Sequence, residues 1–339
     1  MPGASRWFIA LLAVLVTACG AAPPDHMARS DPDDESGLGG TGVLAREGLG
    51  GTGIVGEVTG FGSIFVNGIE VEVPDRARIS EDGVVRPGRA FRRGEVVALR
   101  VVEDGGTMVA VEAHVLHEVV GPVAEVRTGQ REFTILGQVV RWHGGRLPSP
   151  GEHVAVSGFR IPGGVVHATL VVSAGRSTVL LRGRLRAGPD GMYVGDQRVA
   201  GTPDLARAAG RRVHLHGRLE GGVLRVRRWA EAEALPFAAP VQRLVWQGHP
   251  EPLGGGRFRL PGTGLELALD LPAAGILRLE LARRNRTWEL MRVLPREGLP
   301  LGRPEPFRRG WNGQPVPRPG GHRPPIRPPA GYMRRGLPR

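Results

Sequence analysis

The chain of 339 residues contains no lysine: all 45 Lys+Arg positions are arginine. Without an ε-amino group there is no Schiff base, no P-loop lysine and no lysine general base, which excludes aldolase-like, PLP-dependent and ordinary Walker-type NTPase functions. There is a single cysteine, so no intrachain disulfide and no thiolate metal cluster can form. Aromatic residues make up 5% of the chain. That leaves few platforms for stacking bases and argues against nucleic acid as the partner. No G-x-S-x-G elbow occurs, and Ser63, Ser157, Ser173 and Ser177 fall in strand or turn contexts. No catalytic residue and no cofactor-binding residue is assigned, and no cofactor is expected.

Glycine (53) and proline (30) are abundant, and valine recurs throughout, a composition of short strands and turns. An internal repeat organises them. Gly-x-x-apolar phrases begin at Gly94, Gly151, Gly210 and, more loosely, Gly275. Before each of the first three lies an opening strand with a glycine, at Gly56, Gly121 and Gly183, and then a hairpin such as Phe65-Val66-Asn67-Gly68-Ile69. Asn67-Gly68 predicts a type I′ turn, because both residues tolerate positive φ. Leu277-Arg278-Leu279-Glu280-Leu281 alternates with period two. The expected fold is therefore all-β: tandem small OB-like five-stranded barrels, with β-sandwich-like or meander modules as the alternative. The modules are placed at 54–119, 120–177, 178–234 and, in divergent form, 235–294. Pro203 to Ala209 offers one short helix, where an OB barrel often carries one between its third and fourth strands.

The ends read differently. Residues 1–19 have Arg6, an apolar stretch from Trp7 to Val16 and small residues before Cys19, the plan of a secretory signal and too short to span a bilayer, which takes about 20 apolar residues. Val16-Thr17-Ala18-Cys19 resembles the lipobox of bacterial lipoproteins. The resemblance implies cleavage before Cys19 and lipidation of its thiol and new amino group. Gly20, rather than aspartate, favours the outer over the inner membrane by that family's sorting pattern. Residues 20–53 form an acidic, then Gly-rich tether; its two G-L-G-G-T-G phrases lack the strand-then-helix context of a dinucleotide fingerprint. Residues 50–73, from Gly50-Gly51-Thr52-Gly53 through Gly60-Phe61-Gly62-Ser63, resemble the opening of a bacterial envelope family called domain of unknown function 5666. That resemblance implies tandem small β-domains on a lipoprotein and carries no activity.

Residues 295–339 hold 12 prolines and 10 arginines against Glu297 and Glu305, so +8 of the chain's +12 charge sits there. Such a segment reads as a disordered basic tail. Its Arg308, Arg309, Arg318, Arg323, Arg327, Arg334 and Arg335 are the candidate contacts for a polyanion such as lipopolysaccharide, an acidic glycan or DNA. His214 and His216 share one side of a strand and are candidate metal ligands, with a solvated outer face as the plainer expectation; His114 and His117 are a second pair. The expected function is a non-enzymatic, lipid-anchored envelope protein whose modules bind or scaffold a partner protein or envelope polymer. The alternatives are the polyanion binder and an envelope enzyme with a dispersed active site. Replacing Cys19 by serine is expected to abolish incorporation of labelled fatty acid and to release the chain from the membrane fraction; unchanged labelling would refute the lipobox reading.

Overall fold

A computed structural model describes residues 51–177, 179–269, 271 and 275–294. These residues are all-β, with two short 3-10 turns and no α-helix among them. Cys19, the tether up to residue 50 and the arginine tail lie outside the described residues.

The first unit contains β1 (Thr52–Gly60), β2 (Ile64–Val66), β3 (Ile69–Glu72), the small hairpin β4 (Arg78–Glu81) and β5 (Val84–Val85), then β6 (Val96–Asp104) and β7 (Thr107–Leu116). β1 runs antiparallel to both β2 and β6, β2 to β3, and β6 to β7. β3 runs parallel to β7 and closes the ring. The second unit repeats this with β8 (Val119–Arg127), β9 (Glu132–Ile135), β10 (Gln138–Arg141), β11 (His153–Arg160) and β12 (Val166–Ser173). So does the third, with β13 (Val179–Gly188), β14 (Gly191–Val194), β15 (Gln197–Ala200), β16 (Arg212–Glu220) and β17 (Val223–Glu231). Five strands closed in the order 1-2-3-5-4 form the OB-type barrel expected from the repeat. The second and third rings stand in tandem, joined where Val119 and Val120 of β8 pair with Leu181 and Leu180 of β13. They share one apolar core that includes Phe133, Ile135, Leu181, Leu185, Leu215 and Leu224. Each such fully buried side chain contributes about 1.5–3 kcal/mol relative to exposure.

The fourth unit departs from the others. β18 (Arg243–Gly248) pairs with β22 (Leu277–Arg284) and β22 with β23 (Thr287–Leu294), while β19 (Glu251–Gly254), β20 (Arg257–Leu260) and β21 (Leu265–Ala268) form a separate meander. Among the described residues no ladder joins β21 to β23, so this unit stays open. β18 instead lies parallel to β1, from Thr52 opposite Arg243 to Val55 opposite Trp246, so the last unit is hydrogen-bonded to the first.

The repeated glycines of the sequence have two physical roles. A Cβ on Gly56 or Gly183 would collide with Asn67 or with Val194, the latter at 2.5 Å, and one on Gly121 would press tightly on Leu136 at 3.1 Å; these are the residues that fold back from the second hairpin. Gly94, Gly151 and Gly210 have φ of 90°, 79° and 83°. Each donates its N–H to the first strand of its ring, at Val58, Val123 and Leu185, over 2.8 Å. That turn folds the fourth strand back along the first. Asn67 and Gly68 take φ of 56° and 78°, as the turn reading requires. The short helix expected near residue 205 is a 3-10 turn, Leu205–Ala208.

Gly94 differs from its two counterparts. A Cβ there would lie 2.5 Å from the carbonyl oxygen of Thr169 in the second unit, whereas nothing lies within 4 Å at Gly151 or Gly210. Gly151→Ala and Gly210→Ala are expected to cost only the left-handed backbone penalty, about 1–2 kcal/mol. Gly94→Ala is expected to cost clearly more in urea unfolding, and equal losses at all three positions would show that the first two units do not meet there.

Candidate functional site

The four units converge on one cavity of about 470 Å³. The first unit contributes Val55, Val96 and His114; the second Phe159 and Arg160; the third Arg182, Arg212 and His214; the fourth Trp246 and Gln247. The β4–β5 hairpin reaches its edge through Arg78, Ser80, Gly83 and Val85. This hairpin occupies the position in the first ring that the 3-10 turn occupies in the third.

Buried arginines dominate the polar wall. Glu118, in the two-residue link between β7 and β8, bridges two of them: its Oε2 lies 3.4 Å from Arg160 Nε, and its Oε1 accepts from Arg212 Nη2. Arg160 is held further by Gln138 Oε1 at 2.9 Å, the Gly164 carbonyl at 2.7 Å and the Arg182 carbonyl at 2.8 Å. Arg182 donates from Nε to the His117 carbonyl at 3.2 Å, and its Nη2 is 3.7 Å from Asp82 Oδ1. Asp82 sits at the tip of the β4–β5 hairpin with φ of 50°. It accepts from the His117 backbone N–H at 2.9 Å and meets His117 Nδ1 at 2.6 Å. These contacts tie the hairpin of the first unit to the start of the second and to the wall of the third.

The electrostatics follow from burial. Desolvation pushes the Arg160 and Arg182 guanidinium groups below their ordinary range; Glu118 opposes this at both, and Asp82 at Arg182, while the neighbouring Arg212 adds to the fall. Desolvation would raise Asp82, but the hydrogen bond and charge of His117, together with Arg182, hold it below the ordinary carboxylate value. His214 falls to about 2, from burial first and then from Arg182. It is a neutral imidazole at every physiological pH.

The histidine expectations divide. His214 and His216 do share one side of β16, with ring centroids 4.4 Å apart. The solvated face expected for them is corrected for His214, which is 8% exposed and lines the cavity. Among the described residues no group of three or more His, Cys, Asp or Glu side chains is placed to hold a metal, and His216 Nε2 faces Arg228 at 3.4 Å. His114 and His117 separate: His114 Nδ1 meets Ser80 Oγ at 2.7 Å, while His117 pairs with Asp82. The lipidation residue Cys19 and the tail arginines Arg308, Arg309, Arg318, Arg323, Arg327, Arg334 and Arg335 lie outside the described residues.

Sequence reasoning did not single out Arg160, Arg182, Arg212, Glu118 or Asp82. The available signal was an arginine attached to an otherwise apolar, core-forming strand, as in Val179-Leu180-Leu181-Arg182. Searches of protein-family models, curated proteins and solved structures find no match to the chain.

The buried histidine has a consequence for stability. The unfolded chain binds a proton on His214 as the pH falls below about 6.5, whereas the folded chain does not until about 2. Stability from this group is therefore complete above that ordinary value and declines as the pH falls, by about 1.4 kcal/mol per pH unit. His114, His153, His167 and His216 shift in the same direction. Asp82, whose folded value is depressed, adds its own loss only below about pH 4. His214→Gln is expected to flatten the dependence by about one proton between pH 6 and 4.5 in urea unfolding, and parallel curves for the two chains would refute the assignment.

Proposed function

We propose that this chain is a non-enzymatic, lipid-anchored protein of the bacterial cell envelope, most consistent with the outer membrane, whose OB-like units hold one ligand at the place where they converge. The observation that carries this reading is the single cavity built from residues of all four units. A volume of about 470 Å³ falls within the range of small-molecule sites, about 300–1,000 Å³. Its mixed wall, apolar at Phe159, Leu235 and Trp246 and cationic at Arg160, Arg182 and Arg212, is the usual division between a surface that buries a ligand and groups that orient it.

The lipobox-like Val16-Thr17-Ala18-Cys19 and the resemblance of residues 50–73 to an envelope family support the location. The tether of residues 20–53 would set the units away from the lipid surface. A ligand touching several units at once also stabilises their packing, because binding only the folded arrangement adds its free energy to folding.

Ala234 is exposed at the cavity, so Ala234→Trp should block it without disturbing a core. Native mass spectrometry of the chain purified from its own membrane is expected to show one bound small molecule, displaced in Ala234→Trp. A chain that carries nothing, or carries the same molecule after the substitution, would refute the reading.

A further inference from the structure

We propose that the ligand of this cavity is an organic anion, with a carboxylate or phosphate-type head seated against Arg182, Arg212 and His214 and an apolar body against the remaining wall. The proposal rests on the cavity being a ligand site.

The three residues form a cluster by register. Arg182 of β13 stands directly opposite His214 of β16, and opposed residues of an antiparallel pair project from the same face with Cβ atoms about 4.5–5.5 Å apart. Arg212 lies two residues before His214 on the same strand, hence on that same face. All three line the cavity.

Their hydrogen-bonding capacity is not consumed by the protein. Among the described residues Arg212 Nε and His214 Nε2 are buried and have no hydrogen-bond partner, on residues 7% and 8% exposed. A guanidinium is a donor only, and a neutral imidazole can donate from Nε2. Among the described residues Arg182 spends only its Nε on a hydrogen bond, to the His117 carbonyl, and its contact with Asp82 at 3.7 Å is beyond hydrogen-bond length. A buried donor left unsatisfied carries its full desolvation penalty, so two in one wall point to an acceptor supplied from outside.

The charge count agrees. Arg160, Arg182 and Arg212 share two carboxylates, Glu118 and Asp82; Arg78 adds a further cation at the edge, and Glu231, the other carboxylate of the lining, is paired with Arg211. A buried wall with surplus positive charge disfavours a cationic ligand and is neutralised by an anionic one. Guanidinium groups bind carboxylate and phosphate oxygens well because their forked donors match two oxygens at once.

The same head chemistry could come from a free organic acid or from a membrane lipid. The full lipidated chain in phosphatidylcholine nanodiscs is therefore titrated by calorimetry, against empty discs, with hexanoate, hexyl phosphate, hexan-1-ol and hexylammonium. Hexanoate or hexyl phosphate is expected to bind at least tenfold more tightly than the alcohol and the amine, and Ala234→Trp to abolish the binding. Arg212→Gln is expected to weaken it tenfold or more, the worth of one charge-assisted hydrogen bond. Should that variant fail to fold, His214→Leu removes a donor without removing a charge and is expected to weaken binding several-fold. Loss of hexyl phosphate binding in phosphatidylglycerol nanodiscs would support the proposal with a lipid headgroup as the source; unchanged binding would support it with a free acid. Binding of the alcohol or amine as tight as the anions would overturn the anion while leaving a ligand cavity standing. A natural ligand displaced by Ala234→Trp, with no response to either anion, would overturn the anion as well.

Discussion

A small sheet has two open edges, and most of this architecture follows from how those edges are covered. Rows of unpaired N–H and C=O groups invite pairing with other chains. Three of the units remove them by closing the third strand onto the fifth, as β3 does on β7, β10 on β12 and β15 on β17. Closure demands that the chain fold the fourth strand sharply back along the first, and the left-handed glycines at 94, 151 and 210 supply that turn. The fourth unit makes no such closing ladder among the described residues, and its β18 joins β1 instead. One open barrel thus brings the end of the described chain back to its beginning.

That return creates the cavity. With β18 beside β1 and the second and third rings joined through β8 and β13, four units surround a common space. The link between the first two rings, His117 and Glu118, is only two residues long, so its carboxylate and carbonyl groups are held at the centre. Glu118 gathers Arg160 from the second ring and Arg212 from the third, while Asp82 brings the hairpin of the first to Arg182. Such a network is a poor source of net stability, since desolvating charges costs about what their attraction returns. What it supplies is a set of contacts tying the units together and a cationic wall.

Much of the fold was legible in the residues. Asn67-Gly68, the period-two alternation and the recurring glycines marked hairpins, strands and units, because turn geometry and side-chain alternation are properties of a few neighbouring residues. The glycines were readable as landmarks but not as mechanism: only the structure pairs Gly183 with Val194, or sets Gly94 against Thr169 of the next unit. His214 illustrates the limit at the site. On its strand it alternates like a residue facing solvent, yet it is 8% exposed and lines the cavity together with residues of the other units.

The sequence by itself determined the lysine-free chemistry, the all-β repeat, the signal-like first segment and the concentration of positive charge in the tail, all of which depend on composition or on neighbours along the chain. Only the tertiary structure decided that the fourth unit makes no closing ladder among the described residues, that β18 joins β1, and that Asp82, Glu118, Arg160, Arg182, Arg212 and His214 meet. These residues lie far apart in sequence on different strands. No local pattern records an encounter created by the packing of separate units.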